Sequence, residues 1–311
     1  YTWPLNGQTY TTSNNSDFVI LANQYNCDSV VTLDLTIKSS PVIALDPTFY
    51  NGYGVTCNGS MDGEIDVIVG SGNIIQYSWS GSTISNNQNL SGLGVGTYTV
   101  VASDNNGCTT TETFVVTEPS SLTLDYDTSN YNGYGITCNG LLDGWINLTI
   151  GGGIDNLPYV YSWTGDANSS AQNLSSLGAG TYSVTVTDAN VCTISETITI
   201  VESSEVTSNY VDSDWNGYEI QCFGGDNGSI DLSVSGGVVS LPYDYYIDGS
   251  LQSSSSGSYV YDFLTAGTYL IEALDANGCS TSHTVTMNEP SSAVESINDT
   301  SNYNGYGVTC N

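Results

Sequence analysis

The chain has 311 residues, room for two or three ordinary domains, and its 34 Gly, 23 Tyr and abundant Thr, Ser, Val and Asn suit short strands and tight turns better than long helices. Its 32 Asp and Glu stand against one Lys (Lys38), no Arg and one His (His283), a net charge of −31. That balance excludes nucleic acid as a partner, because phosphate binding needs clustered Lys and Arg, and serves solubility.

Residues 1–49 open with Tyr1-Thr2-Trp3-Pro4-Leu5-Asn6-Gly7 and continue to Cys27-Asp28-Ser29-Val30-Val31, a partial β-repeat. The segment beginning at Asn51 (Asn-Gly-Tyr-Gly-Val-Thr-Cys-Asn-Gly) then returns at Asn132, Asn216 and Asn304, at spacings of 81, 84 and 88 residues. Such a period is too long for a solenoid coil and right for a small sandwich domain. The expected units are 50–130, 131–214 and 215–302, with 303–311 the start of another, so the sequence reads as a window on a longer polypeptide.

Each unit begins with a predicted Asp-Gly or Asn-Gly turn (Asp62-Gly63, Asp143-Gly144, Asn227-Gly228) that releases an alternating strand such as Glu64 to Val69. An aromatic strand follows (Tyr77-Ser78-Trp79, Tyr161-Ser162-Trp163, Tyr243 to Ile247), whose rings are expected in the core. Gly-Thr-Tyr (Gly96 to Tyr98, Gly180 to Tyr182, Gly267 to Tyr269) leads a strand into a tight turn at Asp104-Asn105-Asn106-Gly107, Asp188-Ala189-Asn190-Val191 and Asp275-Ala276-Asn277-Gly278. Asn and Gly tolerate the positive φ of such turns. Cys108, Cys192 and Cys279 then open Thr-rich strands that end near Glu118-Pro119, Glu202-Ser203 and Glu289-Pro290.

This succession (Cys-Asn-Gly, Asp-Gly, Tyr-Ser-Trp, Gly-Thr-Tyr, Asp-Ala-Asn-Gly-Cys and Glu-Pro-Ser) resembles the SprB repeat of giant Bacteroidota surface adhesins over residues 50 to 302. The third unit departs most, with Cys222-Phe223-Gly224-Gly225 and no Trp in its aromatic strand. The resemblance implies a filament exported by the type IX system to the cell surface and used in adhesion or gliding. The fold expected is all-β, a tandem array of Ig-like antiparallel sandwiches.

Eight Cys in a chain of secreted character predict disulfides. Cys57, Cys138, Cys222 and Cys310 open units, whereas Cys27, Cys108, Cys192 and Cys279 follow tight turns. Pairs within a unit would close 51, 54 and 57 residues, and pairs across the boundary to the next opening Cys close a nearly constant 30, 30, 30 and 31. Within one sandwich the two classes lie at opposite ends, roughly 20 Å apart, beyond the reach of about 7 Å. If the strand Leu122 to Tyr126 folds back on Thr109 to Thr117, the boundary pairs meet. The predicted bonds are Cys27–Cys57, Cys108–Cys138, Cys192–Cys222 and Cys279–Cys310.

Other candidates are weaker. That pairing would bring Asp104 near Asp143 and Asp188 near Asp226, oxygen-rich clusters suited to calcium, the one cofactor considered, although Asp is also an ordinary turn residue. His283 has no visible nucleophile and base around it, so catalysis is not expected. Trp145 and Trp215 could stack on sugars if exposed, while Trp79 and Trp163 belong to the core. Sequons stand at Asn14, Asn58, Asn89, Asn147, Asn168, Asn173, Asn227 and Asn298, and Asp28-Ser29-Val30 resembles the O-glycosylation triplet of Bacteroidota, which with the implied surface export makes Ser29 or a nearby Thr a candidate for a glycan. Tyr53, Tyr134, Tyr218 and Tyr306 are expected to pack at junctions. No run of 18 apolar residues suggests a membrane span. The function expected is a structural stalk on the cell surface whose partners are neighbouring repeats of the same chain, with surface glycans met by regions outside the window; the alternative is a carbohydrate-binding adhesin module.

Overall fold

Alternation of apolar and polar side chains builds every element here, because a strand turns successive residues to opposite faces. The computed structural model describes residues 1–25, 27–154, 158–164 and 170–291, with the backbone of 302–303 and 306–307. Among the described residues there are strands and turns and no helix, hence none long and apolar enough to cross a membrane. By contact the chain divides into two compact units, one of Tyr1–Thr123, Ile150–Val160 and Val186–Ile194, the other of Leu124–Thr149, Tyr161–Thr185 and Ser195–Asn311.

The amino-terminal stretch holds an antiparallel hairpin of β1 (Phe18–Ala22) and β2 (Asp28–Thr32). Asn23 closes its turn, Oδ1 accepting the N–H groups of Tyr25 and Cys27 at 2.9 and 3.1 Å.

The first sandwich has six strands: β3 (Val42–Pro47), β4 (Gly63–Ser71), β5 (Ile74–Gly81), β6 (Leu90–Leu93), β7 (Gly96–Asp104) and β8 (Thr109–Val116). They form two antiparallel sheets, β3-β4-β6 and β5-β7-β8, the A-B-E and C-F-G sheets of an immunoglobulin-like domain without strand D. Both sheets feed one core, in which Ile65 and Val67 of β4 meet Trp79, Val100, Ala102 and Val116. Trp79 is 1 % exposed, and its indole N–H donates to the Asn87 carbonyl, so its polar edge is satisfied inside the protein.

The middle sandwich repeats the order with β9 (Ser120–Thr128), β10 (Gly144–Gly153), β11 (Val160–Thr164), β12 (Leu174–Leu177), β13 (Gly180–Thr187) and β14 (Thr193–Ile200), in sheets β12-β10-β9 and β11-β13-β14. Trp163 is buried as Trp79 is and donates to the Ala171 carbonyl. The third comprises β15 (Ser204–Asp212), β16 (Gly228–Gly237), β17 (Tyr243–Ile247), β18 (Ser250–Ser255), β19 (Ser258–Leu264), β20 (Gly267–Leu274) and β21 (Ser280–Met287). Its sheets are β15-β16-β19 and β18-β17-β20-β21, and three tyrosines take the place of the missing Trp. Tyr245 is wholly buried against Tyr259, which meets Tyr261 edge-on with ring centres 4.9 Å apart.

These strands correct two expectations. Residues 42–47, 120–128 and 204–212 belong to the sandwich that follows them, so the boundaries expected after 49, 130 and 214 each fall after the first strand of a domain; the strands themselves span Val42–Val116, Ser120–Ile200 and Ser204–Met287. Asp62-Gly63, Asp143-Gly144 and Asn227-Gly228 are not turns, their glycines being the first residues of β4, β10 and β16. Gly63 opens β4 in close approach, where a Cβ would lie 2.7 Å from the Gly54 carbonyl and 3.0 Å from that of Leu93.

Gly-Thr-Tyr has a role beyond leading a strand. The hydroxyls of Tyr98, Tyr182 and Tyr269 donate to carbonyls four residues upstream, Gly94, Gly178 and Thr265, at 2.9, 3.0 and 3.0 Å. This is the tyrosine corner of immunoglobulin-like domains, and burial raises the pKa of the Tyr98 hydroxyl.

Candidate functional site

The repeated Asn-Gly-Tyr segment forms a two-residue hairpin turn. Asn51 and Gly52 both have positive φ (49° and 94°) between the bridged pair Tyr50 and Tyr53, and Asn132-Gly133 does the same between Tyr131 and Tyr134. Asn-Gly is the pair such a type I′ turn demands. The chain then buries Val55 and runs to Cys57 in a loop held from three sides. The Asp62 carboxylate accepts from the Thr56 N–H and hydroxyl, Glu118 accepts from the Gly59 N–H, and Asn58 donates to the Pro119 carbonyl. In the middle sandwich Asp143, Glu202 and Asn139 hold the Cys138 loop through the same partners.

The complementary piece is the tight turn between the last two strands of a sandwich. In Asp188-Ala189-Asn190-Val191-Cys192, Asp188 Oδ1 accepts the N–H groups of Asn190 and Cys192 at 2.9 Å each, and Oδ2 accepts that of Ile154 at 3.0 Å. Asp275 caps the third sandwich's turn in the same way. Asp104 does so in the first: burial opposes its charge, but hydrogen bonds from Asn106 and the Cys108 N–H prevail and hold the carboxyl below its usual value. These turn aspartates are therefore engaged as caps.

Loop and turn fit together. The Asn190 side-chain amide donates to the carbonyls of Thr56 (2.8 Å) and Tyr50 (3.3 Å), while its oxygen accepts from Asn51 (2.6 Å). Beside it Cys57 and Cys192 form a disulfide, with Cα atoms 5.7 Å apart. In the other unit Asn277 reaches the carbonyls of Thr137 (3.0 Å) and Tyr131 (3.2 Å), Asn132 bonds Asn277 at 2.7 Å, and Cys138 is bonded to Cys279 with Cα atoms 5.5 Å apart. Each clasp fastens the opening loop of one sandwich to the turn of the next.

This pairing replaces the predicted one. Cys57 bonds Cys192 rather than Cys27, Cys138 bonds Cys279 rather than Cys108, and Cys27, Cys108 and Cys222 form no disulfide among the described residues; Cys310 lies outside them. Loop and turn do lie at opposite ends of one sandwich: Gly237, at the far end of β16 from the Cys222 loop, packs against Asp275. Leu122 to Tyr126 does not fold back on Thr109 to Thr117, because β9 pairs with β10. The strand after Glu-Pro-Ser instead starts the next sandwich at that sandwich's turn end, where Ser204 pairs with Gly237 and where Asn139 of the Cys138 loop holds the Ser203 carbonyl. The loop therefore meets the following turn, and the approach of Asp104 to Asp143 and of Asp188 to Asp226 loses its basis. No group of three or more metal-ligating side chains occurs among the described residues.

Other expected residues serve the fold. Asn89 and Asn173 accept from the N–H groups of Val67 and Leu148, and Asn58 is tied into its loop. Ser29 is exposed on β2. Tyr53 and Tyr134 are half-buried in their turns, Tyr218 is exposed, and Asn168, Asn298 and the Tyr306 side chain lie outside the described residues. Trp145 is half-buried and Trp215 is 43 % exposed. His283 Nε2 lies 2.9 Å from Ser208 Oγ, which also meets Thr281 Oγ1 at 2.8 Å, a contact tying β15 to β21. The clasping Asn190 and the Glu118 tether were missed, although Asn in the turn and Glu before Pro or Ser recur with the period of the cysteines.

A protein-family model described as the SprB repeat matches residues 136–168 and 219–252. Two stretches of the chain, one in the middle sandwich and one in the third, are thus similar to the SprB repeat. Both matches begin in the opening loop, at Ile136 beside Cys138 and at Glu219 before Cys222. No curated protein matches the chain. Among solved structures it is similar to a bacterial 1.5-MDa ice-binding adhesin fragment concerned with host cell surface retention (13 % identity, covering 81 % of this chain and 98 % of that one, TM-score 0.33). It is also similar to the eight amino-terminal Ig domains of Down Syndrome Cell Adhesion Molecule (13 % identity, 85 % and 39 %, TM-score 0.28). A third is the Bacteroides ovatus glucan-utilization protein SGBP-B, solved with a mixed-linkage heptasaccharide (14 % identity, 81 % and 71 %, TM-score 0.19).

Proposed function

We propose that the chain is a structural segment of an extracellular cell-surface adhesin, a disulfide-clasped stalk that does no chemistry of its own. The observation that carries this reading is the clasp, which fastens consecutive sandwiches by a covalent bond and by an asparagine seated in the preceding turn. Disulfides of this kind persist outside the cell, and the likeness to the SprB repeat supports a surface location. From the same likeness come export by the type IX system and service in adhesion or gliding. A charge of −31 keeps such chains soluble and apart.

The exposed ring of Trp215 favours a second reading, a carbohydrate-binding module. One experiment separates them: the oxidised 311-residue chain is applied to a glycan array and, in parallel, digested with protease before and after reduction. The stalk reading expects no glycan bound and fragments that separate only when reduced. Glycan binding lost in Trp215→Ala would replace it with the second.

A further inference from the structure

Among the described residues, the third sandwich presents a loop with no turn seated in it, and the first presents a turn with no loop seated on it. The Cys222 loop keeps the turn, the glutamate tether and the side-chain acceptor of the two engaged loops, while Phe223 stands where Asn58 and Asn139 donate to a carbonyl. Asn216 and Gly217 have φ of 56° and 90°, Trp215 N–H donates to the Tyr218 carbonyl, Gly224 N–H is held by Glu289, and Asn227 takes the place of Asp62 in accepting from the Gln221 N–H. Ile220 is wholly buried beneath it, and Cys222 is exposed. The loop thus keeps its engaged shape with no described residue seated in it.

The turn of the first sandwich is the matching half. Asp104 caps Asn106 and Cys108 as Asp188 caps Asn190 and Cys192. Asn106 is the counterpart of Asn190 and Asn277, yet its amide folds back onto its own turn, 3.2 Å from Asp104 Oδ2 and 3.2 Å from Asn105 Oδ1. The other two donate outward to a loop instead.

We propose that the Cys222 loop and the Cys108 turn are two halves of a further clasp, and that in the 311-residue chain each is filled by the other half on a second copy. Cys222 of one copy bonds Cys108 of the next, and Asn106 turns outward to the Gln221 and Trp215 carbonyls, the counterparts of those of Thr56 and Tyr50. The two thiols give up two protons and two electrons to an oxidising disulfide such as oxidised glutathione, which leaves as two reduced thiols. Because the two surfaces differ, the contact is heterologous and does not close on itself as a two-fold dimer would. The inference rests on the stalk reading and extends it from the bonds within the chain to the way it joins further units.

The test uses the 311-residue chain with Cys27→Ser and Cys310→Ser, oxidised in a glutathione buffer and analysed by non-reducing electrophoresis and peptide mapping. The expected result is an open ladder of multimers linked through Cys108–Cys222 peptides, lost in either Cys108→Ser or Cys222→Ser. It should also form more slowly in Asn106→Ala, while alkylation of the reduced thiols stays unchanged. Monomer with both thiols free overturns the proposal, as do Cys222–Cys222 links as frequent as Cys108–Cys222. If Cys57–Cys192 and Cys138–Cys279 are found in the same digest, the stalk reading survives that failure; if they are missing, both fall.

Discussion

The Cys57 loop and the Cys222 loop share a backbone and differ in occupancy. Among the described residues one holds Asn190 and a disulfide and the other neither, yet both keep the Asn-Gly turn, a side chain (Asp62 or Asn227) that accepts the N–H of residue 56 or 221, and a glutamate that accepts the N–H of the following glycine. Local chemistry therefore sets the loop, and the disulfide fastens a fit that already exists. A binding surface formed in advance costs less conformational entropy to engage.

The two loops should respond differently when a cysteine is removed at each. Cys192→Ser opens a link of sequence separation 135, which by loop closure should cost about 5 kcal/mol in chemical unfolding of the oxidised chain. Cys222→Ser should leave the unfolding midpoint where it is. Asn190→Ala removes two donors to the Tyr50 and Thr56 carbonyls and should cost about 2 kcal/mol, whereas Asn106→Ala, which loses bonds only within its own turn, should cost under about 1 kcal/mol.

A more local effect belongs to acid. The Asp104 carboxyl titrates lower in the folded protein than its unfolded value of 3.8, so its contribution is present above that value and is lost as pH falls below it. Hydrogen exchange at the Cys108 N–H should lose protection there, and Asp104→Asn should remove that pH dependence. The smallest effect is a gain. Val191 holds φ of 68°, where the equivalent turns have Gly107 and Gly278. Val191→Gly should stabilise the middle sandwich by about 0.5 kcal/mol in thermal unfolding, relief of left-handed strain less the entropy glycine loses.

What the sequence revealed and what it hid follow from how local each feature is. The strand that buries Trp79 and the strand led by Gly-Thr-Tyr were legible because a two-residue period is written in the residues themselves. The cysteine partners were not. A spacing of 30 residues to the next opening Cys is nearly constant, but so are the separations of 135 and 141 that the bonds use, because both simply inherit the repeat. Which is real depends on whether Leu122 to Tyr126 joins the sheet before or after it, and its alternation would satisfy either. Pro119, which cannot donate to a ladder, was read as an edge or a turn, and it stands where one sandwich hands over to the next. Asp62-Gly63 misled in the same way, since the pair names a turn while the glycine is needed for close approach.

The clasps also limit how far the chain can be drawn out. With no bonds, the 222 residues from Cys57 to Cys279 could extend to roughly 750 Å if every sandwich came apart. With both bonds in place the taut covalent path runs from Cys57 to Cys192, back along 54 residues to Cys138 and across to Cys279, roughly 190 Å. Under tension all three folds could be lost and the tether would still reach only about a quarter of its free length, leaving each sandwich close to its neighbours and able to refold when the pull relaxes.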